Sequence, residues 1–464
     1  MMNLSRITLF VTAILLTACT VGRDYQLPFF ATPANFVEAA KPEFSNKTIE
    51  LKWWEVFKDG QLSALVNQTI LNNHDLKVAH ANLREARALY MEAGLNLAPT
   101  VTTHSNYTEQ LRSAGSMNNR AFVPRELSLY STGFDAAWEL DLFGRVRRNV
   151  ETSNDEVEMQ EASLKEVKVS LIAEVARNYF ELRGLQNQLA VIKNNVENQQ
   201  QTLEITRVRV ENGRGTELDT ARIAAQLDNT RAIVPTLEMA ITHAIHRLSV
   251  LTGQLPNALM ANLSKVISIP TLPDTITVGN PADLLRRRPD IQMVERRLAA
   301  STARIGVATA DLFPKVTFVG TLSLEASTLS SMGAAGSGAY SVGPRISWAA
   351  FDLGRVYARI KAADAHAEAD LDRYQQTVLN ALEETENAFV SYNKTKVRQD
   401  FLASAVKSSE KAYDLAQLRF NEGVTDFLTV LDSQSRLLQD QNQLAQSQTD
   451  TATKLVAVYK SLGG

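Results

Sequence analysis

Hydrophobic positions recur along this chain at two spacings, and the spacing switches twice. From 61 to 97 the apolar residues fall in two groups at helical spacing, Leu62, Leu65, Val66 and Ile70 and then Leu76, Ala79, Leu83 and Ala86. That is one face of a helix, and Pro99 ends it. The period then falls to two. Thr100 to Leu111 and Arg125 to Leu140 are predicted strands, joined by a loop at Arg112 to Pro124. A very long helical stretch follows from about 149 to 211, free of proline. Its apolar positions Leu171, Val175, Leu182, Leu185, Leu189, Ile192 and Val196 keep heptad spacing. At ~1.5 Å per residue it is about 95 Å long.

The same order returns in the second half, more cleanly. Pro314 ends a helix. Val316, Phe318, Gly320, Leu322 and Leu324 alternate with polar neighbours, as do Tyr340, Val342, Pro344, Ile346 and Trp348. Between them runs a Gly/Ser-rich connection, Ser327 to Ala339. A second long helix is expected from about 355 to 421. Pro99 and Pro314 differ by 215 positions, as do Asp75-Leu76 and Asp290-Ile291, whereas Gly133/Gly343, Trp138/Trp348 and Gly213/Gly423 differ by 210. The chain is therefore a tandem duplication with a five-residue length difference inside the strand hairpin. Shorter return helices are predicted at about 216–253 and 426–461. Each matches the long helix in length only if stacked end to end with the helix before the hairpin.

These strands suit either a half-buried soluble sheet or a transmembrane barrel, whose strands run about 10 residues. Four strands cannot close a barrel, and lipid does not tolerate open strand edges. If they span a membrane, several chains share one barrel: two give eight strands, three twelve, four sixteen.

The N-terminus favours the membrane reading. Met1 to Arg6 carries one positive charge, Ile7 to Leu16 is almost wholly apolar, and Leu16-Thr17-Ala18-Cys19 follows. This is a secretory signal. Cys19, the single cysteine, sits at the processing position. The string resembles the lipobox of bacterial lipoproteins, whose cysteine is acylated. Thr20 is not the aspartate that favours retention at the inner membrane. With no second cysteine there is no internal disulfide. The expected organisation is a signal peptide at 1–18, a lipidated lead-in at 19–60 and a first repeat at 61–255 with its hairpin at about 99–141. A linker at 256–280 and a second repeat at 281–464, with its hairpin at about 314–351, complete it.

Composition removes other readings. The net charge is −3, with 48 Lys and Arg against 51 Asp and Glu, so nothing points to nucleic acid. The run Arg286-Arg287-Arg288 reads as a solvated or ion-paired face, and Trp53-Trp54 as a buried packing anchor. His243 and His246 lie i, i+3 without a third ligand, so no metal site is expected. The glycines at 333, 336 and 338 lack the ending of a phosphate loop. Neither a cofactor nor an enzymatic activity is expected.

Taken in order, the lipobox, Trp53-Trp54, Leu285 to Ile291 (LRRRPDI), Asp141 to Arg145 (DLFGR) with Phe351 to Arg355 (FDLGR), and the ending Val430-Leu431-Asp432 resemble outer-membrane efflux lipoproteins of the TolC/OprM type, in the NodT-like branch. The resemblance covers nearly the whole chain. It implies a mixed α and β membrane protein: a homotrimer with a shared twelve-stranded barrel and a long α-helical coiled-coil barrel in the periplasm. A periplasmic adaptor and an inner-membrane pump, of the RND type, would dock below, and the channel would passively export drugs or other small toxic compounds. The rival readings are a surface-anchored coiled-coil structural or adhesive lipoprotein, and the same duct serving type I protein secretion.

By the same resemblance the two Gly-containing breaks are tips at the periplasmic end. Leu428 and Asp432, spaced i, i+4 on one helix face, would narrow the axis as an apolar constriction and an acidic ring. Some relatives carry a second acidic residue where this chain has Thr429. The 210 offset sets Leu218 against Leu428 but Arg222 against Asp432, so the repeat is broken in charge there. Arg222 and Asp432 are expected to pair when the tips close. Arg209, Gly213, Arg419 and Gly423 are expected to form the surface that meets the adaptor.

Overall fold

A computed structural model describes residues 20–38, 44–45, 52–113, 115 and 124–464. The signal segment 1–18 and the lipidation site Cys19 lie outside the described residues. In chain order the main elements are α1 (Gly60–Asn72), α2 (His74–Leu95), β1 (Thr100–Leu111) and β2 (Glu126–Leu140). Next come α3 (Arg145–Glu211), α4 (Glu217–Leu251), α5 (Pro281–Arg287) and α6 (Pro289–Ala310). The chain closes with β3 (Lys315–Ala326), β4 (Gly338–Ser347), α7 (Leu353–Asn421) and α8 (Phe427–Ser461). They fall into two compact units. One holds the described residues of 20–29, 82–161 and 293–375; the other holds the remaining described residues. Each unit draws on both repeats, so the compact units cut across the duplication.

The first unit contains a four-stranded antiparallel meander in the order β1-β2-β3-β4. Its register separates two faces. Phe134, Leu322 and Tyr340 line up across three strands, as do Trp138, Phe318 and Pro344, then Leu140, Val316 and Ile346. On the opposite face Asp135, Thr321 and Ser341 align, as do Glu139, Thr317 and Arg345. The polar face is hydrogen-bonded: the Thr321 hydroxyl donates to Asp135 at 2.9 Å, and His104 Nδ1 meets Asp135 at 2.7 Å. Phe134, Leu322, Tyr340, Val342 and Ile346 are exposed. A sheet that shows solvent its apolar face and hydrogen-bonds its polar one has the polarity of a membrane barrel wall. β1 and β4 are its two edges. At the foot of each hairpin a tryptophan ties the strand to the turn that leads into the hairpin. Trp138 donates its indole N–H to the Leu97 carbonyl at 2.9 Å, and Trp348 donates to Leu312 at 2.9 Å.

In this unit Asp155 on α3 is nearly buried. Burial pushes its carboxyl up to about 6, against the pull of Arg296 at 3.5 Å and with the help of Glu158, Glu151 and Glu295. The folded state thus holds this proton more tightly than the unfolded chain. Its contribution to stability is full below about pH 4 and is lost as pH rises through about 6. Asp155→Asn should therefore raise stability at pH 7.5 by about 1–3 kcal/mol, with roughly half that gain at pH 5. Thermal melts in detergent at the two pH values check this; an equal gain at both would contradict it.

The second unit has an aromatic core. Trp53, Trp54 and Phe57 form a 3-10 turn, buried against Phe180 and Tyr459. The helix expected over 61–97 is in fact two helices. Asn73 takes an extended ψ of 135°, and its side-chain carbonyl accepts from the amides of Asp75 and Leu76, capping α2. Its side-chain amide donates to Leu251 O at 2.9 Å, so the end of α4 abuts the start of α2. The second repeat makes the same contact with a different residue: Arg288 donates to Ser461 O at 2.9 Å. Arg288 also pairs with Asp290 and Glu384. Burial opposes its charge, but these two carboxylates hold its pKa above the usual arginine range. The third arginine of the run is thus a buried joint between α6, α7 and the end of α8.

Candidate functional site

The two tips are built alike. α3 ends at Glu211 and α7 at Asn421, each followed by a glycine with positive φ, +70° at Gly213 and +74° at Gly423. Gly213 N–H bonds Val210 O and Arg214 N–H bonds Arg209 O; Gly423 N–H bonds Phe420 O and Val424 N–H bonds Arg419 O. These paired bonds make a Schellman motif at each tip, satisfying carbonyls the helix leaves open. No atom lies within 4 Å of where a Cβ would stand at either glycine, so the backbone conformation, not space, calls for glycine there.

The return helices start on caps that the 210 offset relates. Thr216 opens α4 in a capping box with Asp219. Asp426 opens α8, accepting from the Thr429 amide at 3.0 Å and the Thr429 hydroxyl at 2.6 Å. Those two bonds, aided by the Arg222 guanidinium, hold the Asp426 carboxyl below the usual carboxylate range. Beneath the caps lies one shared apolar cluster of Leu203, Ile223, Leu227, Ala416, Phe427, Val430 and Leu431, drawn from all four tip helices. Phe420 and Phe427 meet at 5.4 Å, and the Arg209 guanidinium lies 4.1 Å from the Phe420 ring centre.

This geometry sorts the expected site residues. Phe427, Val430, Leu431 and Gln434 face the cluster, which leaves Leu428 and Asp432 on the outer face of α8. Leu428 is 49% exposed and Leu218 is 57% exposed, so neither is a core leucine. Arg222 is exposed too, and the carboxylate that feels its charge is Asp426. Among the described residues no ion pair joins Arg222 to Asp432 within the chain. Arg419, Gly213 and Gly423 are exposed at the tips, whereas Arg209 is half-buried on Phe420. Asp426 is the tip residue that the sequence reading missed. The signal was present in the spacing Asp426-x-x-Thr429 and in the match of Asp426 to Thr216. Among the described residues no group of three or more His, Cys, Asp or Glu side chains is placed to hold a metal ion, and no helix is long and apolar enough to cross a membrane.

Comparison with known proteins agrees with both elements. The solved outer-membrane channel OprN superposes with a TM-score of 0.89 at 41% identity, covering 96% of this chain and 99% of that one. The open-state MtrE channel of Neisseria gonorrhoeae gives 0.83 at 26%, covering 96% and 98%. In sequence, Nodulation protein T of Rhizobium leguminosarum bv. trifolii is 29% identical over 459 residues, 98% of this chain and 96% of that protein. The toluene efflux pump outer membrane protein TtgC of Pseudomonas putida is 27% identical over 470 residues, 100% of this chain and 96% of that one. The family description "Outer membrane efflux protein" matches residues 65–254 and 280–464, one segment in each repeat. With its long helix pairs, paired tips and two-faced sheet, the chain belongs to the outer membrane efflux protein family.

Proposed function

We infer that this protein is the outer-membrane exit duct of a tripartite efflux system, passing small toxic compounds from the periplasm to the exterior. The observation that carries this reading is the four-stranded sheet, apolar on its exposed face, polar on the other, and unpaired at both edges among the described residues. Lipid does not admit free strand edges. Three copies joined edge to edge, β4 of one beside β1 of the next, close twelve strands and leave a polar bore. Cys19, acylated, adds a lipid anchor at the outer membrane, and the sheet supplies the main attachment.

The paired tips form the periplasmic gate in this reading. Three Leu428 side chains line an apolar constriction that resists wetting, and three Asp432 carboxylates favour cations. Arg222 beside Asp426 adds a counter-charge at the same mouth, and closure brings Arg222 of one tip to Asp432 of another. A periplasmic adaptor meets the surface around Gly213, Arg419 and Gly423, with Arg209 supporting it from the Phe420 ring, and an inner-membrane pump of the RND type drives transport. Charge reversal of Arg419 should weaken cross-linking to the adaptor at least several-fold, because rim charges steer association, and should leave the fold intact. Undiminished cross-linking would remove Arg419 from that surface. The reading as a whole is tested by deletion. Loss of the protein should raise dye accumulation and drug susceptibility to the level seen on losing the partner pump; unchanged accumulation would reject an efflux role.

A further inference from the structure

Arg148 on α3 is a buried charge that the duct reading does not use. Its side chain is 4% exposed. One of its partners, Glu151 at 2.7 Å, lies on its own helix. Among the described residues the others all lie on the segment that follows Cys19: Val21 O at 3.2 Å, Gly22 O at 3.4 Å and Asp24 Oδ1 at 2.7 Å. The same segment is held at further points. The Val21 N–H donates to Phe143 O at 3.2 Å. Arg23 pairs with Asp364 on α7. The Tyr25 hydroxyl donates to Glu295 at 3.2 Å, and Arg296 lies 5.5 Å from the Tyr25 ring centre. The fit is steric as well as polar. Gly22 has φ +95°, and a Cβ there would stand 2.5 Å from the Gly306 Cα on α6; a Cβ on Gly306 would stand 2.8 Å from the Arg148 side chain.

We propose that the groove between α3 and α6, lined by Arg148, Gly306, Glu295 and Arg296, is a binding site for the first residues of the mature chain. The segment Thr20 to Tyr25 is an intramolecular clasp. The groove takes it by backbone carbonyls that accept from Arg148, by a glycine–glycine approach that excludes any side chain, and by a tyrosine seated under Arg296. With the clasp in place Arg148 has a full set of acceptors. Without it the guanidinium keeps one carboxylate and exchanges its other acceptors for water, which weakens the unit around it. Arg148 thereby makes the stability of this unit depend on the N-terminal segment being seated, independently of any acyl chain on Cys19.

The test uses the full chain in detergent, with trypsin cleavage after Arg23 and thermal unfolding as readouts. Gly22→Val should unseat the clasp, speed cleavage after Arg23 by roughly ten-fold or more, and lower the melting temperature. Adding Arg148→Met to Gly22→Val should restore much of the melting temperature while cleavage stays fast, because the groove then holds no charge that needs the clasp. Cys19→Ser should leave both readouts near those of the parent. Unchanged cleavage in Gly22→Val would overturn the proposal. So would a double variant no more stable than Gly22→Val alone, since the two losses would then be independent.

Discussion

Replacing Trp53 by alanine is expected to cost the helical unit about 3–5 kcal/mol, the range for emptying a large buried aromatic site. Trp53 is 1% exposed and stacks on Tyr459 of α8, with ring centres 5.1 Å apart and planes within 13°. It also meets Trp54 and Phe57 edge-on at 6.1 Å and 6.3 Å. The chain end closes over the same ring: a Cβ on Gly464 would stand 2.7 Å from the Trp53 indole nitrogen. The lead-in, the return helix of the second repeat and the C-terminus therefore share one side chain. Trp53→Phe keeps part of the stack and should lose markedly less. Urea unfolding followed by far-UV circular dichroism measures both variants. A loss below about 1 kcal/mol for the alanine variant would mean the site collapses, and the anchor role would be wrong.

The largest functional change is expected at the tips. Leu428→Ala should raise single-channel conductance in planar bilayers by roughly two-fold or more, since it shortens the side chains proposed to keep the mouth dry. Asp432→Ala should raise conductance or lower the preference for cations. The two residues share a face of α8, but their contributions differ in kind. The leucine acts through wetting, so its effect should persist at high salt. The carboxylate acts through charge, so its effect should shrink as ionic strength rises. Asp426 separates the gate from its surroundings. Its carboxyl is engaged by Thr429 and the helix amide, so Thr429→Ala should change selectivity less than Asp432→Ala. Leu428 and Asp432 variants with unchanged single-channel behaviour would reject the gate.

How much was legible depended on the range of the interaction that decided each feature. The strands were readable because alternation is a local property. Val316 to Leu324 and Tyr340 to Ile346 expose their apolar members because both lie on one pleated surface, whatever that surface later meets. The tips were readable because Gly213 and Gly423 occupy a left-handed conformation that other residues enter at a cost. The repeat offsets were readable because they need only comparison of the chain with itself. The break at Asn73 was not. The apolar steps widen to six between Ile70 and Leu76, and asparagine favours caps, but neither by itself fixes a break. What fixes the break is the Asn73 side chain, which caps the start of α2 and donates to the Leu251 carbonyl, 178 positions away.

The sequence by itself determined the period of each segment, the duplication and the places where the chain must turn, because these follow from backbone sterics and nearest-neighbour patterning. It also determined that the sheet has a lipid-compatible face. Only the tertiary structure decided which polar groups are structural. Arg288 became a buried joint because Asp290, Glu384 and Ser461 O converge on it. Arg209 was drawn onto Phe420 from a tip 210 positions earlier than Arg419, its counterpart. Arg148 came to depend on the N-terminal segment. In each case a charged side chain reads as surface in the sequence, and its burial is fixed by partners far away in the chain. A desolvated charge is tolerated only where several such partners meet, and the sequence alone does not show where that is.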